Sequence, residues 1–338
     1  MISIIIPAYN AEQFIKNTIN SILNQSYQDF EIVVVNDGSK DRTKEIVEEL
    51  AKLDNRIHLI SQKNQGVSAA RNVAIEQAKG DFLTMVDADD TLPKNALRDM
   101  ISLIDDEVDM VIGSHNEIRI KSKSIVQQRE CFKAAEIPIR FLQIDPLIWS
   151  PWAKLYRRSI IVENGLKFDS NISFGEDHLF IIDYIKYINK DVVVTDSIVY
   201  NYFFLRGGLC SKYYSNMHEL QKYVLDGIFS YSESVEGFPK QYQEYYVQSY
   251  LLGCFEYYIS WLSFEEAVKK VEESVQVFSD FLTPCMLEEC FDSKQMNLLE
   301  KQDYKELVRD YVKKNIRKTV VRKYRRKIRI VLEKCIGL

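Results

Sequence analysis

Along the first part of the chain, hydrophobic positions switch between two periods. Residues 3–7, 31–36, 56–61 and 81–86 are short, mostly β-branched runs, the pattern of strands buried on both faces. Between them, Ile15, Ile19, Ile22 and Leu23 mark one helical face, Ile46, Leu50 and Leu53 a second, and Val67, Ala70, Ala74 and Ala78 a third. Lys79 and Gly80 close the third helix, with the glycine suited to a left-handed C-cap. This βαβα alternation predicts an α/β fold with a mostly parallel, doubly wound, Rossmann-like sheet.

Further on, 108–114 reads as a strand, 116–126 as a polar strand and 175–188 as a helix, with strands again near Val192 and Val199. From about Asn216 the pattern is helical and rich in tyrosine, as in 242–264, and no strand run recurs. The expected organisation is therefore an α/β domain over 1–212, a helical module over 213–312 and a tail over 313–338. In that tail Ile316, Val320, Tyr324, Ile328, Val331 and Cys335 trace one apolar helical face, and basic residues fill much of the remainder.

Composition changes this picture in one respect. With 338 residues, 46% hydrophobic and 28% charged, the chain is an ordinary folded protein, which excludes disorder and low complexity. The net charge of −5, however, conceals a division. Residues 313–338 hold 11 Lys/Arg against one acid, a net of +10, and leave −15 upstream. Six cysteines without CxxC or CxxH spacing suggest neither zinc nor a disulfide framework and fit a reducing cytosol. No basic leader and no uncharged stretch of about 18 residues is present, so secretion and membrane spanning are not expected.

Ligands of open parallel sheets bind beyond the carboxyl ends of the strands. Three such places carry polar groups: Pro7 to Asn10, Asn36 to Ser39, and Asp87 to Asp90. No GxGxxG or GxxxxGK[ST] follows a strand, which sets dinucleotide and P-loop chemistry aside. Asp87, Asp89 and Asp90 crowd three carboxylates into four residues. They read either as a hard-cation site for Mg²⁺ or Mn²⁺ beside a substrate phosphate, or as a solvated turn with Asp90 or Thr91 capping a helix at Pro93. Asp37 is either turn chemistry or a ligand contact, and Arg71 either a local ion pair or an arm into the crevice. Glu176 and Asp177 open an apolar helix, where acids complement the dipole or one of them serves as a general base.

Taken in order, SIIIPAYN (3–10), FEIVVVNDGS (30–39), NQGVSAARN (64–72), GDF (80–82), DADD (87–90), WAKLY (152–156), GED (175–177) and YNY (200–202) with Arg206 resemble the family 2 glycosyltransferases over roughly residues 1–212. These are inverting enzymes of the GT-A fold that use nucleotide-activated sugars. The resemblance implies that Pro7, Ala8 and Tyr9 flank a uracil with Glu12 nearby, that Asp37 accepts from the uracil N–H, and that Arg71 helps hold that base. It implies further that Asp87 lies near ribose and metal, that Asp89 coordinates Mn²⁺ or Mg²⁺, and that Arg206 contacts the diphosphate. Asp177 is implied as the catalytic base, with Glu176 in support and Trp152 as an acceptor-site wall. Ala74 stands where many relatives carry glycine.

The partners expected on this reading are a UDP-sugar donor, a glycan acceptor, lipid-linked for surface polysaccharide synthesis, and an anionic membrane surface approached through 313–338. That places the protein in the cytoplasm, peripheral at the inner face of the cell membrane. For the tail, packing on its own body, homo-oligomerisation and nucleic-acid contact are the competing readings, and nucleic acid is not expected as a partner. A noncatalytic glycan-assembly partner that keeps the fold and is recruited through the tail is the alternative function.

Overall fold

Every residue of β1 (Ile2–Ala8) and of β2 (Phe30–Asp37) is buried, as near-continuous apolar runs require when both faces of a parallel sheet are covered. The computed structural model describes residues 1–118, 130–203 and 212–315. It has two units, Met1–Leu205 with Glu233–Gly237, and Arg206–Ser232 with Phe238–Leu338.

In the first unit β1 is followed by α1 (Ile15–Leu23), β2, α2 (Thr43–Leu53), β3 (Ile57–Gln62), α3 (Val67–Gln77), β4 (Phe82–Met85), α4 (Ala96–Ile101) and β5 (Val108–Glu117). Then come β6 (Glu130–Phe132), α5 (Phe141–Ile144), β7 (Lys154–Arg157), α6 (Arg158–Glu163), α7 (Glu176–Lys186) and β8 (Asp191–Tyr202). The sheet order is β3-β2-β1-β4-β7-β5-β8-β6. The first four strands are mutually parallel, β5 and β8 are parallel to each other, and β7 runs antiparallel between β4 and β5. This is the mostly parallel α/β sheet expected. Ile2, Ile4, Ile6, Ile32 and Val34 meet Ile15, Ile19 and Ile22 of α1 in one core, and α3 packs on β1 and β2 with Ala70 and Ala74 fully buried.

Three local expectations change. Gly80 is not a left-handed cap: α3 ends at Gln77, and Ala78 follows in an extended conformation. Glycine stands at position 80 because a Cβ there would lie 2.7 Å from the Ser3 nitrogen and 2.9 Å from the Met1 carbonyl. The helix after the acidic turn begins at Ala96 and not at Pro93, so neither Asp90 nor Thr91 caps it. The two strands near Val192 and Val199 are one strand, β8, irregular in its register with β5. Of the polar strand expected over 116–126, Asn116 and Glu117 continue β5 and 119–129 lie outside the described residues.

The second unit is helical: α8 (Met217–Ser234), α9 (Lys240–Trp261), α10 (Phe264–Val277), α11 (Pro284–Cys290), α12 (Ser293–Glu300) and α13 (Tyr304–Lys314). The helical run read over 242–264 breaks at Ser263. There the Ser263 side chain and Glu266 form a reciprocal capping box that starts α10. Arg206 and the apolar stripe from Ile316 to Cys335 lie outside the described residues. Among the described residues no helix is long and apolar enough to cross a membrane.

Candidate active site

The parallel register sets the carboxyl ends of β1, β2 and β4 side by side, because Ile5 pairs with Val33 on one flank and Met85 on the other. Backbone amides and side chains then lace the segments leaving β1 and β2 together. Asn10 N–H donates to Ser39 Oγ (3.0 Å), Lys40 N–H to Asn10 Oδ1 (2.9 Å), and Arg42 N–H to Glu12 Oε2 (3.0 Å). Pro7 and Ala8 are buried at this edge, while Tyr9 is 48% exposed. Gly38 is required in the turn: it sits at φ +72°, and a Cβ would come within 2.8 Å of the Asn64 nitrogen.

Asp37 closes β2 and organises the approach to α3. Its buried carboxylate accepts from the Gln62 side-chain amide (2.8 Å), from Gln65 N–H (2.9 Å) and from Gly66 N–H (2.8 Å). Only one of these bonds reaches its second oxygen, which retains acceptor capacity for a ligand. The turn held in this way starts α3 at Val67, and one helical turn later Arg71 is buried on the sheet side.

Arg71 is the centre of the site. One guanidinium nitrogen donates to Asp177 Oδ1 at 2.5 Å and the other to Asp87 Oδ1 at 3.1 Å. A single cation thus joins the acid beyond β4 to the acid at the start of α7. Neighbouring packing explains the meeting. The Asn72 side chain makes two hydrogen bonds with the Phe168 backbone (both 2.8 Å), and the Phe168 ring stacks on Phe180 of α7 at 4.0 Å. Gly175, at φ +83°, turns the chain into α7 so that Asp177 reaches Arg71. Burial raises the Asp177 carboxyl above the ordinary aspartate range, and the Arg71 guanidinium opposes that rise. Glu176 is half-buried beside this pair and adds its charge to the field on both.

The acidic turn divides its work. Asp90 is buried and bonded within the protein: it accepts from Tyr200 Oη (2.7 Å) and from Phe203 N–H (2.7 Å), while Tyr200 Oη in turn accepts from Asp87 N–H (3.1 Å). Burial, with Asp87 close by, pushes Asp90 up to about 8. Asp89 is half-buried and is pushed up to about 6 by the same two causes. Asp87 keeps one oxygen off Arg71. Among the described residues no group of three or more His, Cys, Asp or Glu is arranged for a metal. A pair of carboxylates nevertheless suits a hard divalent cation whose other ligands are substrate phosphates and water.

Trp152 is locked by rings. It stacks on Tyr200 (4.6 Å) and Tyr202 (5.5 Å) and meets His115 edge-on (4.8 Å). The structure therefore brings together Asp87, Asp177 and Arg71, seats Pro7, Ala8, Glu12 and Asp37 along the adjoining strand ends, and leaves Arg206 outside the described residues.

Sequence reasoning did not assign Tyr200, Lys154, Asp145 or His178 a part. Tyr200 braces the acidic turn. Lys154, only 2% exposed, donates to the carbonyls of Ser150 (2.6 Å) and Trp152 (3.2 Å), and burial pushes its ammonium down to about 7. His178 is fully buried, its Nε2 lies 2.7 Å from Asp145 Oδ1, and Trp149 stacks on its ring at 4.3 Å. The signals available were the lysine inside the apolar strand run of WAKLY and, for Tyr200, the YNY motif.

Residues 3–165 match the family model described as glycosyl transferase family 2. The chain is similar to the uncharacterized glycosyltransferase EpsJ of Bacillus subtilis, at 35% identity over 187 residues, covering 53% of this chain and 54% of that protein. It is similar also to the poly(ribitol-phosphate) beta-N-acetylglucosaminyltransferase TarS of Staphylococcus aureus, at 30% identity over 205 residues, covering 59% of this chain and 35% of TarS. The chain thus spans about half the length of the first of these relatives. Among solved structures, S. aureus TarS 1–349 in complex with UDP-GlcNAc superimposes with a TM-score of 0.71 at 22% identity, covering 94% of this chain and 91% of that one. The mannosyltransferase PcManGT from Pyrobaculum calidifontis, in complex with GDP-Man and Mn2+, superimposes with a TM-score of 0.53 at 14% identity, covering 96% and 86%. At these identities the structural likeness is one of fold.

Proposed function

The chain carries a family 2 glycosyltransferase domain over residues 3–165, and from that premise we propose that it transfers a hexose or N-acetylhexosamine from a UDP-sugar to a hydroxyl of a glycan acceptor, with inversion. The observation that carries this reading is the Arg71 bridge, which sets the Asp177 carboxylate beside the strand-end acid Asp87. The acceptor hydroxyl attacks the anomeric carbon as its proton passes to Asp177, and the bond from that carbon to the diphosphate oxygen breaks as UDP leaves. Backbone and side chains from Pro7 to Glu12, with Asp37, hold the uracil, and Arg206 meets the diphosphate. Glu176 and Trp152 border the acceptor. Asp89 and Asp87 are the residues that hold Mn²⁺ or Mg²⁺ when bound, and the ion supplies charge stabilisation to the departing diphosphate.

The acceptor is lipid-linked on this reading. The net charge of +10 over 313–338 draws the protein to the anionic inner face of the membrane, at about 1 kcal/mol per basic residue near the surface. The experiment is a screen of UDP-sugars for donor hydrolysis and transfer in Mn²⁺, with Asp177→Asn as control. Turnover of one donor that the substitution removes supports the proposal. A protein that binds UDP-sugars and turns none over is instead the noncatalytic partner.

A further inference from the structure

Trp149 is a large apolar side chain left 42% exposed against a buried histidine. Its indole stacks on the His178 ring, with centroids 4.3 Å apart and planes 20° from parallel. His178 is fully buried, and its Nε2 lies 2.7 Å from Oδ1 of buried Asp145. The imidazole is thus held at two points, by α7 that carries it and by Asp145, and the indole lies on a support that does not turn. Burying this polar pair is costly, the more so because His178 Nδ1 has no hydrogen-bond partner among the described residues, and a leucine at 178 would avoid the cost. What the pair adds is a rigid, flat backing for an exposed ring.

Among the described residues His178 is the one ring that Trp149 contacts. Trp152 differs: it is stacked on Tyr200 and Tyr202 and met edge-on by His115. Of the two indoles, Trp149 is the one with a ring face left for a ligand.

The sheet order sets this ring on the side of the site away from the segments proposed to hold the uracil. Trp152 pairs in parallel with Met85 at the carboxyl end of β4, two residues before Asp87, and β7 lies beside β4 on the flank opposite β1. The segment 149–153 therefore borders the acidic turn across from the strand ends that carry Pro7 to Glu12 and Asp37. His178 follows Asp177 directly on α7, so the indole rests one residue along the chain from the proposed base.

An aromatic face attracts polarised C–H bonds through its negative π cloud, and the face of a pyranose ring presents several of them in one plane. An acyclic polyol has no such plane. An indole already fixed in orientation also loses little freedom when the sugar arrives. We propose that Trp149, backed by His178 and Asp145, is the platform on which a pyranose ring of the acceptor lies, so that the acceptor is a glycoside and not a bare polyol phosphate. The inference rests on the glycosyl-transfer reading above for the step that follows binding, and the binding is tested without turnover.

The test is saturation-transfer NMR on the full chain in UDP and Mg²⁺, with methyl pyranosides of glucose, galactose, mannose and N-acetylglucosamine, and with ribitol phosphate. At least one pyranoside binds wild type, with the signal concentrated on the C–H hydrogens of one ring face. Its Kd rises about tenfold in Trp149→Ala, the upper end of what an aromatic contact contributes beyond burial, and much less in Trp149→Phe, which keeps a π face. Trp149→Leu covers His178 without a π face and gives the same loss, so it reads the stack even if Trp149→Ala does not fold, and UDP binding by calorimetry reports folding in each. Ala or Leu variants that bind UDP and hold the pyranoside as tightly as wild type overturn the platform. So does a wild type that binds no pyranoside, or one that binds ribitol phosphate in preference. A wild type that binds a pyranoside through Trp149 and turns over no donor overturns the transfer reading alone, and the platform stands as that of a noncatalytic glycan-binding protein.

Discussion

In the role proposed for it, Asp177 accepts a proton only as a carboxylate, and its surroundings pull in opposite directions. Burial raises it and Arg71, 2.5 Å away, lowers it. The net direction is upward, so the active, ionised fraction falls as pH drops through a value above the ordinary aspartate range of about 3.9. Transfer should therefore fail on the acid side at a higher pH than an exposed aspartate would allow, which a kcat/KM profile measures. Asp177→Asn should lose 10² to 10⁴-fold in turnover, roughly the worth of general-base help, and should leave UDP affinity in place. Retained turnover would remove Asp177 from the role. Asp89→Ala should weaken UDP binding only when Mn²⁺ is present, and calorimetry with and without the ion reads the difference. Asp90 has a different part from its neighbours because Tyr200 and Phe203 take both its oxygens. Three acids in four residues read as one cluster until the fold turned one of them inward.

At the scale of elements, two joints carry consequences. Gly113 lies in β5 where it meets β8, and a Cβ there would come 2.2 Å from a Val199 methyl. Gly113→Ala should lower stability by about 1–3 kcal/mol through overpacking, visible as a reduced melting temperature. An unchanged melt would show that β8 yields there without cost. The Ser263 capping box begins α10, and Ser263→Ala should cost about 1 kcal/mol in the helical unit, measurable by denaturant titration. The elements themselves were legible where period was strong: β1 to β4 and α1 to α3 stand within three residues of their apolar runs. Legibility failed where a contact distant in sequence set the boundary. Gly80 is demanded by Ser3 and Met1, and the run over 192–199 stays one strand because β5 pairs along its length.

For the whole molecule, charge is divided along the sequence and not merely summed. Deleting 313–338 should release the protein from anionic liposomes at physiological salt while leaving donor hydrolysis intact, and co-sedimentation decides it. Equal co-sedimentation of the shortened protein would end the membrane reading of the tail. The amino-acid sequence by itself determined the α/β class, the strand-end placement of Pro7 to Asn10, Asp37 and the acidic turn, and the +10 tail, because periodicity, turn chemistry and charge are local properties. Only the tertiary structure decided that Arg71 spans Asp87 and Asp177, that Asp90 serves Tyr200, and that Lys154 is buried without an acid against it. Those pairings join residues up to 110 positions apart, and the sheet order and packing that close such distances are set by the whole core at once.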